Sequence, residues 1–422
     1  MKQIVITGMG VVSSIGHQAD DFRAGLFEGK CGIDFMDEIM DFSSIGAMIR
    51  NFDFHAHFDK YESCLPQDMI QRVKLAVRRT PLAMQTVVLS SIEAWYGAQL
   101  HASQNDPLRR GLIVAGSNLT QQIPYSLYDL YQREPDYISP TYALRFMDTN
   151  YVGVLSEIFQ IYGEGFSLGA ASASGNAAII KGCQLVKSGE VDACLIAAPF
   201  ADLSPMEMRA FFNIGALGGR TFRSTPNLAC RPFDSEHEGF IYGQASAALI
   251  VESLESAISR NAPIYGYILG GAFHLDGNRL SNPSVEGEAQ VMEQAIKRAG
   301  VSLYDIDYIN THGTSSPLGD ATELSAIRTT FGDRVSDIWL NATKSLTGHC
   351  LFSSGVVEAI ATVIQMNENF VHPTLNLSSP IESGFRFCVE ASATAKLDTV
   401  MSNSFGFGGI NTSIIFGKRR EQ

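Results

Sequence analysis

The chain has 422 residues, 45% hydrophobic and 18% charged, which is enough for one large domain or two to three ordinary ones around a sizeable core. The net charge of −13 argues against broad nucleic-acid binding, because such binding depends on neutralising phosphates. No run approaches the ~18 apolar residues that span a bilayer, so we expect no membrane span. The seven scattered cysteines include no C-x-x-C pair, so we expect a cytoplasmic protein without a disulfide framework or a metal site.

Short β-branched runs alternate with longer helical patterns along the chain, which is typical of an α/β layered fold. The first series of strand-like runs begins with IVITGMG and continues at residues 111–116, 165–170, 193–198 and 247–252. A second series of five follows at residues 264–271, 306–313, 338–343, 399–406 and 412–417. In each series the third run leads through small or polar residues into a helical pattern, which covers 174–188 in the first series.

This correspondence predicts an internal duplication of one five-stranded α/β unit, with residues 1–252 and 253–422 forming two halves packed as one body. The first half carries two extra segments, roughly 20–65 and 117–162, which are rich in aromatic and acidic residues. Insertions of this length usually cover a site or build a subunit interface. We expect one of these two roles here.

The N-terminal segment MKQIVITGMG predicts a strand and a turn and not a secretory signal, because its single lysine precedes only a short apolar run. The glycines of GMGVVSSIG do not fit a dinucleotide-binding fingerprint, because Ser13 stands where the third glycine is needed. We predict a tight strand-to-loop turn in this segment, which contains Gly8, Gly10 and Gly16.

Residues 167–176 read SLGAASASGN, a run of very small side chains at a predicted strand-to-helix turn. Such residues allow the backbone to approach a ligand or another chain closely. Ser172 does not lie in a nucleophile elbow, because Ala170 and Ser174 replace the glycines of G-x-S-x-G. The residues alone leave three interpretations of Ser172: a nucleophile, a remnant of one, or a small residue in a packed turn.

Two histidines stand at the ends of predicted strands in the second half. His312 precedes hydroxyls and a carboxylate-rich helix start in THGTSSPLGDATE, and His349 follows Lys344 at the mouth of a helix in NATKSLTGHCLFSSG. Folds of the α/β class bind ligands at the carboxyl ends of their strands. If the two halves pack about a pseudo-twofold axis, both histidines converge with Ser172, and we predict a functional site there.

The segment NSFGFGGINT places Phe407 among glycines after a predicted strand. Glycines permit backbone N–H groups to turn toward a ligand, as an oxyanion site requires. A β-hairpin between the last two strands is equally compatible, and the two interpretations do not exclude each other.

Taken together, these segments resemble the β-ketoacyl-acyl-carrier-protein synthases (ketosynthases) of the thiolase superfamily, over essentially the full length of the chain. The resemblance rests on VITGMGVVSSIG, RPFDSEHEGFIYGQ, THGTSSPLGD, TKSLTGHCLFSSGVVEAI and NSFGFGGIN, in the order of that family. It implies a thiolase-like duplicated α-β-α-β-α layered fold, usually a homodimer. It also implies acyl substrates held on the phosphopantetheine of an acyl carrier protein, with no cofactor bound by the enzyme itself.

The resemblance implies roles for particular residues. The nucleophilic cysteine of the family falls on Ser172, and its two catalytic histidines correspond to His312 and His349. The other roles carry over as a set: the structural Lys–Glu pair to Lys344 and Glu358, the pantetheine-holding hydroxyls to Thr314 and Ser316, the oxyanion N–H groups to Ser172 and Phe407, the acyl gate to Phe407, and further substrate contacts to Gly408 and Gly409.

The chain departs from the family pattern at three places. The cysteine is absent, the family Gly-Gly-x-Glu reads Ala197-Ala198-Pro199-Phe200, and the acidic residue of G-E-G reads Gln244. The last two changes are expected to affect the acyl pocket or the dimer interface. Without the thiol, we expect loading of an acyl chain to be severely impaired.

Decarboxylation of a malonyl thioester needs no thiolate, since two neutral imidazoles can stabilise the enolate oxygen. The chain thus resembles the free-standing Ser-for-Cys decarboxylases of polyketide β-branching cassettes, and we predict conversion of malonyl-carrier protein to acetyl-carrier protein. Two alternatives remain: a condensing synthase, with Ser172 natural or an engineered Cys→Ser exchange, and a non-catalytic subunit that sets chain length.

One helix-like stretch carries four basic residues, Arg72, Lys74, Arg78 and Arg79. This cluster is either a docking face for an acidic carrier protein or an ordinary solvated face.

Overall fold

The protein folds around one large mixed sheet, in a computed structural model that describes residues 2–40 and 43–418. The strands are β1 Ile4–Ser13, β2 Asp34–Met40, β3 Ser43–Gly46, β4 Arg110–Ala115, β5 Gly165–Leu168, β6 Ala193–Ala198, β7 Ala245–Ser253, β8 Gly266–Leu275, β9 Tyr308–Asn310, β10 Trp339–Asn341, β11 Phe370–Val371, β12 Arg386–Phe387, β13 Ala393–Thr394, β14 Thr399–Gly406 and β15 Ile410–Gly417.

The helices cover both faces of this sheet. In chain order they are α1 Ala19–Glu28, α2 Phe54–Glu62, α3 Gln67–Val77, α4 Leu82–Gly97, α5 Gln122–Arg133, α6 Tyr142–Arg145, α7 Thr149–Phe159, α8 Ser174–Ser188, α9 Pro205–Asn213, α10 Leu254–Ser259, α11 Val285–Ala299, α12 Pro317–Phe331, α13 Lys344–Thr347 and α14 Ser354–Glu368. No helix in the described part of the chain is both long and apolar enough to cross a membrane.

The order of the strands confirms the predicted duplication. Counted outward from the centre of the sheet, the first half runs β1-β7-β6-β4-β5 and the second runs β8-β15-β14-β9-β10. If the strands of each half are numbered in chain order, both halves therefore have the same spatial order: first, fifth, fourth, second, third. They join where β1 pairs antiparallel with β8 through three residues, Ile4 to Ile6. The division after residue 252 stays a prediction.

The layers follow the predicted α-β-α-β-α arrangement. Helices α8 and α14 lie between the two half-sheets, where side chains such as Ile179 and Ile360 pack with strand residues of both halves. Helices α4 and α7 cover the outer face of the first half. Helices α11 and α12 cover the outer face of the second half. This arrangement confirms the thiolase-like layered fold.

Small residues allow the two central helices to touch. A Cβ atom added to Gly175 on α8 would lie 2.5 Å from the backbone nitrogen of Val356 on α14. A Cβ atom on Gly355 would lie equally close to the backbone nitrogen of Asn176. Real Cβ atoms do not approach backbone this closely, so only glycine fits at this crossing.

The turn predicted in GMGVVSSIG is present, but it lies at Ser13–Gly16, where the Ser13 N–H donates to the Gly16 carbonyl at 2.7 Å, and not at Gly8 and Gly10. Strand β1 continues through both glycines to Ser13, with a register shift between Ile6 and Gly8. The glycines serve a different purpose, because a side chain at either position would overlap the backbone of α4, at Ala94 and at Ser90. They permit a helix to lie directly on the strand.

Candidate active site

The predicted site residues come together around one cavity of about 350 Å³. It lies at the carboxyl ends of β9 and β14 and is lined by Ser172, His312, Thr314, Ser316, His349, Phe407 and Gly409 among others. Lys344 and Glu358 lie buried behind the histidines. Gly408 is in the hairpin turn beside the cavity. The convergence of Ser172 with the two histidines, predicted from the duplication, is therefore observed.

Ser172 lies in a tightly held turn between β5 and α8. The preceding residue, Ala171, has a left-handed backbone with φ of 47°. The Ser174 hydroxyl accepts from the Ala170 N–H at 2.8 Å and donates to the Ala171 carbonyl at 2.7 Å. A Cβ on Gly406 would lie 2.7 Å from the Ala170 oxygen. The turn thus presents Ser172 at the amino end of α8, whose free N–H groups favour negative charge.

His349 is the direct neighbour of Ser172. Its Nε2 atom is 2.9 Å from Ser172 Oγ, and its Nδ1 atom accepts the backbone N–H of Leu351 at 3.2 Å. A backbone N–H group only donates, so Nδ1 carries no proton and the neutral ring has its proton on Nε2. His349 therefore presents an N–H donor, and not a base, to Ser172.

His312 is oriented in the same way by a different group. Lys344 Nζ lies 3.3 Å from His312 Nδ1, 2.6 Å from the His312 carbonyl oxygen and 2.5 Å from Glu358 Oε1. An ammonium group has three donors and no acceptor, so these contacts occupy all its protons and require Nδ1 to accept. The proton of the neutral His312 ring is then on Nε2.

Both rings are neutral near pH 7. Removal from water and the positive charge of Lys344 hold the pKa values of His312 and His349 well below the ordinary range. Burial raises the pKa of Glu358 to about 7 against the attraction of Lys344. The two imidazoles stand nearly perpendicular, with ring centroids 5.6 Å apart. The site thus offers two neutral N–H donors suited to an oxygen that gains negative charge.

The remaining predicted residues lie along the cavity. The hydroxyls of Thr314 and Ser316 are 2.8 Å apart and hydrogen-bond to each other. Phe407 is 44% exposed in the turn between β14 and β15, where Gly408 and Gly409 adopt positive φ angles of 87° and 68°. The hairpin predicted for this segment is confirmed, and the roles assigned to these side chains stay predictions.

Several residues that line the cavity were not found from the sequence. The most notable is Glu288 in the first turn of α11, which is buried together with Ala289 and Met292 on one face of the helix. A carboxylate on the apolar face of an amphipathic helix was the available signal. The other residues that were missed include apolar, acidic and neutral polar ones, among them Phe211, Ile214, Ala216, Asp276, Ser281, Asn282, Asp320, Glu323, Leu351, Phe352 and Asn411.

Two expectations about other segments change. Among the described residues, none that lines the cavity comes from 20–65 or 117–162, so the described parts of these segments do not cover it, and a role in a subunit interface stays a prediction. The basic cluster is not on one helix, because α3 ends at Val77 and leaves Arg78 and Arg79 beyond it. Arg72 and Lys74 are already paired with acidic residues, so docking at this face stays a prediction.

The sequence departures at Phe200 and Gln244 lie away from the cavity lining. Phe200 is buried in the outer core of the first half, and its N–H donates to Ser246 Oγ at 3.1 Å. Gln244 accepts the backbone N–H of Ile49 at 3.2 Å. Both side chains contribute to local packing, and neither touches the space between the histidines.

The fold and the paired histidines define a thiolase-like ketosynthase. Among solved structures, the ishigamide ketosynthase/chain length factor matches with a TM-score of 0.86 and 26% identity, covering 99% of this chain and 100% of that one. Models of the beta-ketoacyl synthase N-terminal and C-terminal domains match residues 1–257 and 265–378. The chain therefore belongs to the beta-ketoacyl synthase family.

Two relatives are similar in sequence to this chain over nearly its whole length. It is 39% identical to the polyketide biosynthesis malonyl-ACP decarboxylase PksF of Bacillus subtilis, over 98% of this chain and 96% of PksF. It is 31% identical to 3-oxoacyl-[acyl-carrier-protein] synthase 2 of Coxiella burnetii, over 99% of both chains.

Proposed function

We propose that the protein converts malonyl-acyl-carrier protein to acetyl-acyl-carrier protein by decarboxylation, as part of polyketide biosynthesis. One observation carries the proposal: two neutral histidine N–H groups converge beside a serine at the position where the family has its nucleophilic cysteine. The relative PksF, which is named for malonyl-ACP decarboxylation, supports the same reaction.

The serine is poorly suited to accept an acyl chain. A free thiol ionises with a pKa of ~8.5, whereas a serine hydroxyl needs an adjacent general base to attack. His349 is the residue within reach, and its proton is on the nitrogen that faces Ser172. Ser172 therefore accepts a hydrogen bond, and chain loading does not proceed.

The decarboxylation step needs only the two histidines. When the bond to the malonyl carboxylate breaks, CO2 leaves and the electron pair passes into an enolate whose oxygen was the thioester carbonyl. The Nε2–H groups of His312 and His349 hydrogen-bond to that oxygen and stabilise its charge. A proton then adds to the enolate carbon, and the product is the acetyl thioester.

The carrier protein supplies the substrate on its phosphopantetheine arm. In the proposal this arm enters the cavity past Phe407, and the hydroxyls of Thr314 and Ser316 hold its amide groups. The enzyme works as a homodimer and requires no cofactor of its own.

The second candidate is a condensing synthase. The name of the Coxiella burnetii relative favours it. This candidate requires an acyl group on Ser172, which mass spectrometry of the intact protein detects. A non-catalytic chain-length subunit is the third possibility, and the retention of both oriented histidines counts against it.

The test follows intact mass while the protein acts on malonyl-carrier protein. We expect loss of CO2 from the carrier-bound malonyl group, and a slowing of about 10²- to 10³-fold in His312→Ala and in His349→Ala, since each removes one donor to the enolate oxygen. His55→Ala, an exposed histidine on α2, is the matched control. Absence of CO2 loss, or equal rates in all four proteins, contradicts the proposal.

A further inference from the structure

Glu288 is a buried carboxyl group that the reaction described above does not use. It lies in the first turn of α11, is 1% exposed, and lines the same cavity as the histidines. Its Oε2 atom has no hydrogen-bond partner among the described residues. Buried polar atoms normally have partners, so a carboxyl group that lines a cavity and has an unpartnered oxygen points to a group that acts on what enters the cavity.

The neighbouring carboxyl groups each have at least one donor, although Asp276 Oδ2, like Glu288 Oε2, has no partner among the described residues. Glu323 accepts the backbone N–H of His312 at 2.7 Å, and Asp276 accepts the side-chain amide of Asn411 at 2.7 Å. Burial and the nearby charges of Glu323 and Asp276 raise the pKa of Glu288 well above its ordinary value. The carboxyl group of Glu288 therefore keeps its proton to a higher pH than an ordinary glutamate does.

Glu323 relates Glu288 to His312. The charge of Glu323 acts on the pKa of Glu288, so the two carboxyl groups are near each other, and Glu323 accepts the backbone N–H of His312 at 2.7 Å. Glu288 and His312 line the same cavity.

We propose that Glu288 is the proton donor that converts the acetyl enolate into acetyl-carrier protein. This inference rests on the proposed decarboxylation. The O–H bond of Glu288 breaks and its proton forms the new C–H bond at the enolate carbon, which leaves a Glu288 carboxylate. A proton from solvent at the cavity mouth restores the acid, so each turnover consumes one proton and releases one CO2.

The chemistry of the two candidate reactions makes this residue informative. A condensing enzyme needs an enolate that survives until it attacks an acyl group, and a protonated acid beside it would consume that enolate. A decarboxylase needs the enolate to be protonated. A proton donor held in the cavity therefore fits a site that ends its reaction at acetyl-carrier protein.

The test compares Glu288→Gln, Glu288→Asp and wild type on malonyl-carrier protein. General acid catalysis contributes about 10²- to 10⁴-fold, so we expect Glu288→Gln to lower kcat by at least about 100-fold with KM unchanged. Glu288→Asp keeps the acid and recovers part of the rate. Glu286→Gln, an exposed glutamate in the same helical turn, is the matched control with wild-type kcat.

Two readouts separate proton donation from a structural role. In equal H2O and D2O, the ratio of protium to deuterium in the acetyl methyl group changes in Glu288→Gln, because the donor changes. The wild-type rate also falls on the alkaline side as Glu288 loses its proton, and this limb is absent in Glu288→Gln. The other titratable groups around it stay in place in the variant, namely Glu323 and Asp320 from α12 and His274 and Asp276 from β8 and its end.

Each outcome decides the inference. Wild-type kcat and isotope ratio in Glu288→Gln overturn it while leaving decarboxylation intact. Failure of the wild-type protein to release CO2 overturns both the inference and the proposed function. CO2 release that is slowed by Glu288→Gln but unaffected by His312→Ala and His349→Ala supports the acid and rejects the enolate site.

Discussion

At the scale of single residues, the proposed activity depends on which nitrogen of His349 carries the proton. The Leu351 N–H donates to Nδ1 and leaves Nε2 as a donor toward Ser172. Lys344 fixes the same tautomer in His312 by donating to its Nδ1 atom. In the proposed reaction the two histidines therefore act as hydrogen-bond donors to an enolate oxygen, and neither acts as a base for a serine nucleophile.

Restoring the thiol is the sharpest change at Ser172. We expect Ser172→Cys to accept an acyl group from acyl-carrier protein, because a thiol at a helix amino end ionises far more readily than a hydroxyl. Intact-mass spectrometry detects the acyl adduct. Wild type, which carries the exposed Cys64 and six other cysteines, is the control and stays unmodified. Acylation of wild type on Ser172 would favour the condensing synthase instead.

The ion pair between Lys344 and Glu358 predicts a stability change with its own control. Lys344→Met leaves Glu358 buried without its cation, and we expect the free energy of unfolding to fall by about 3 kcal/mol. This value is near the low end for broken buried ion pairs, because Glu358 can take up a proton. Replacing both partners, in Lys344→Met with Glu358→Gln, recovers much of this loss. Urea unfolding measures both changes. An equal loss in the single and double variants would mean that the pair itself is not what stabilises this region.

At the scale of elements, the crossing of α8 and α14 determines how far apart Ser172 and His349 lie. Ser172 lies two residues before α8, and His349 lies five residues before α14. The two helices touch at Gly175 and Gly355, the second residue of each helix. The small residues on both sides of the pseudo-twofold axis therefore bring Ser172 and His349 within hydrogen-bond distance.

A methyl group added at this crossing tests whether the crossing determines the distance between Ser172 and His349. Gly175→Ala places a Cβ 2.5 Å from the backbone nitrogen of Val356, and overpacking of this kind costs about 1–3 kcal/mol. We expect a lower urea midpoint and slower decarboxylation, because the helices must separate. Gly153→Ala on α7 is the control, since a Cβ there meets nothing within 4 Å and alanine favours a helix by about 1 kcal/mol. Equal midpoints for the two variants would show that the crossing tolerates a side chain.

At the scale of the whole molecule, buried carboxyl groups make stability depend on pH. The pKa of Glu288 is raised in the folded protein, so the folded state holds a proton that the unfolded chain releases above its ordinary pKa. Its contribution to stability is complete below that ordinary value and is lost as the pH rises toward the raised pKa.

The Gln variant isolates this effect from the histidines, whose lowered pKa values act in the opposite direction. The side chain in Glu288→Gln cannot ionise, so the variant does not lose stability when Glu288 would. Its urea midpoint therefore rises relative to that of wild type as the pH increases from 5 to 8. Glu286→Gln shows no such gain, because its side chain is exposed. A midpoint difference that is constant over this range would mean that Glu288 is not protonated in the folded state.

Much of this architecture could be predicted from the sequence because it depends on local patterns. Strand runs and small-residue turns repeat in both halves, and the repeat was sufficient to place Ser172, His312 and His349 together. The failures involve contacts between distant segments. Gly8 and Gly10 look like turn residues until α4 is seen to lie on them, and Glu288 looks like one surface carboxylate of many until its helix is docked.

The central claim is that the serine ends the reaction at decarboxylation. The most direct measurement supplies the wild-type protein with malonyl-carrier protein and an acyl-carrier protein together and follows all species by intact mass. We expect acetyl-carrier protein to accumulate with release of CO2, while the mass of the enzyme does not change and no β-ketoacyl product forms. An acyl group on Ser172, or a β-ketoacyl-carrier protein, would contradict it.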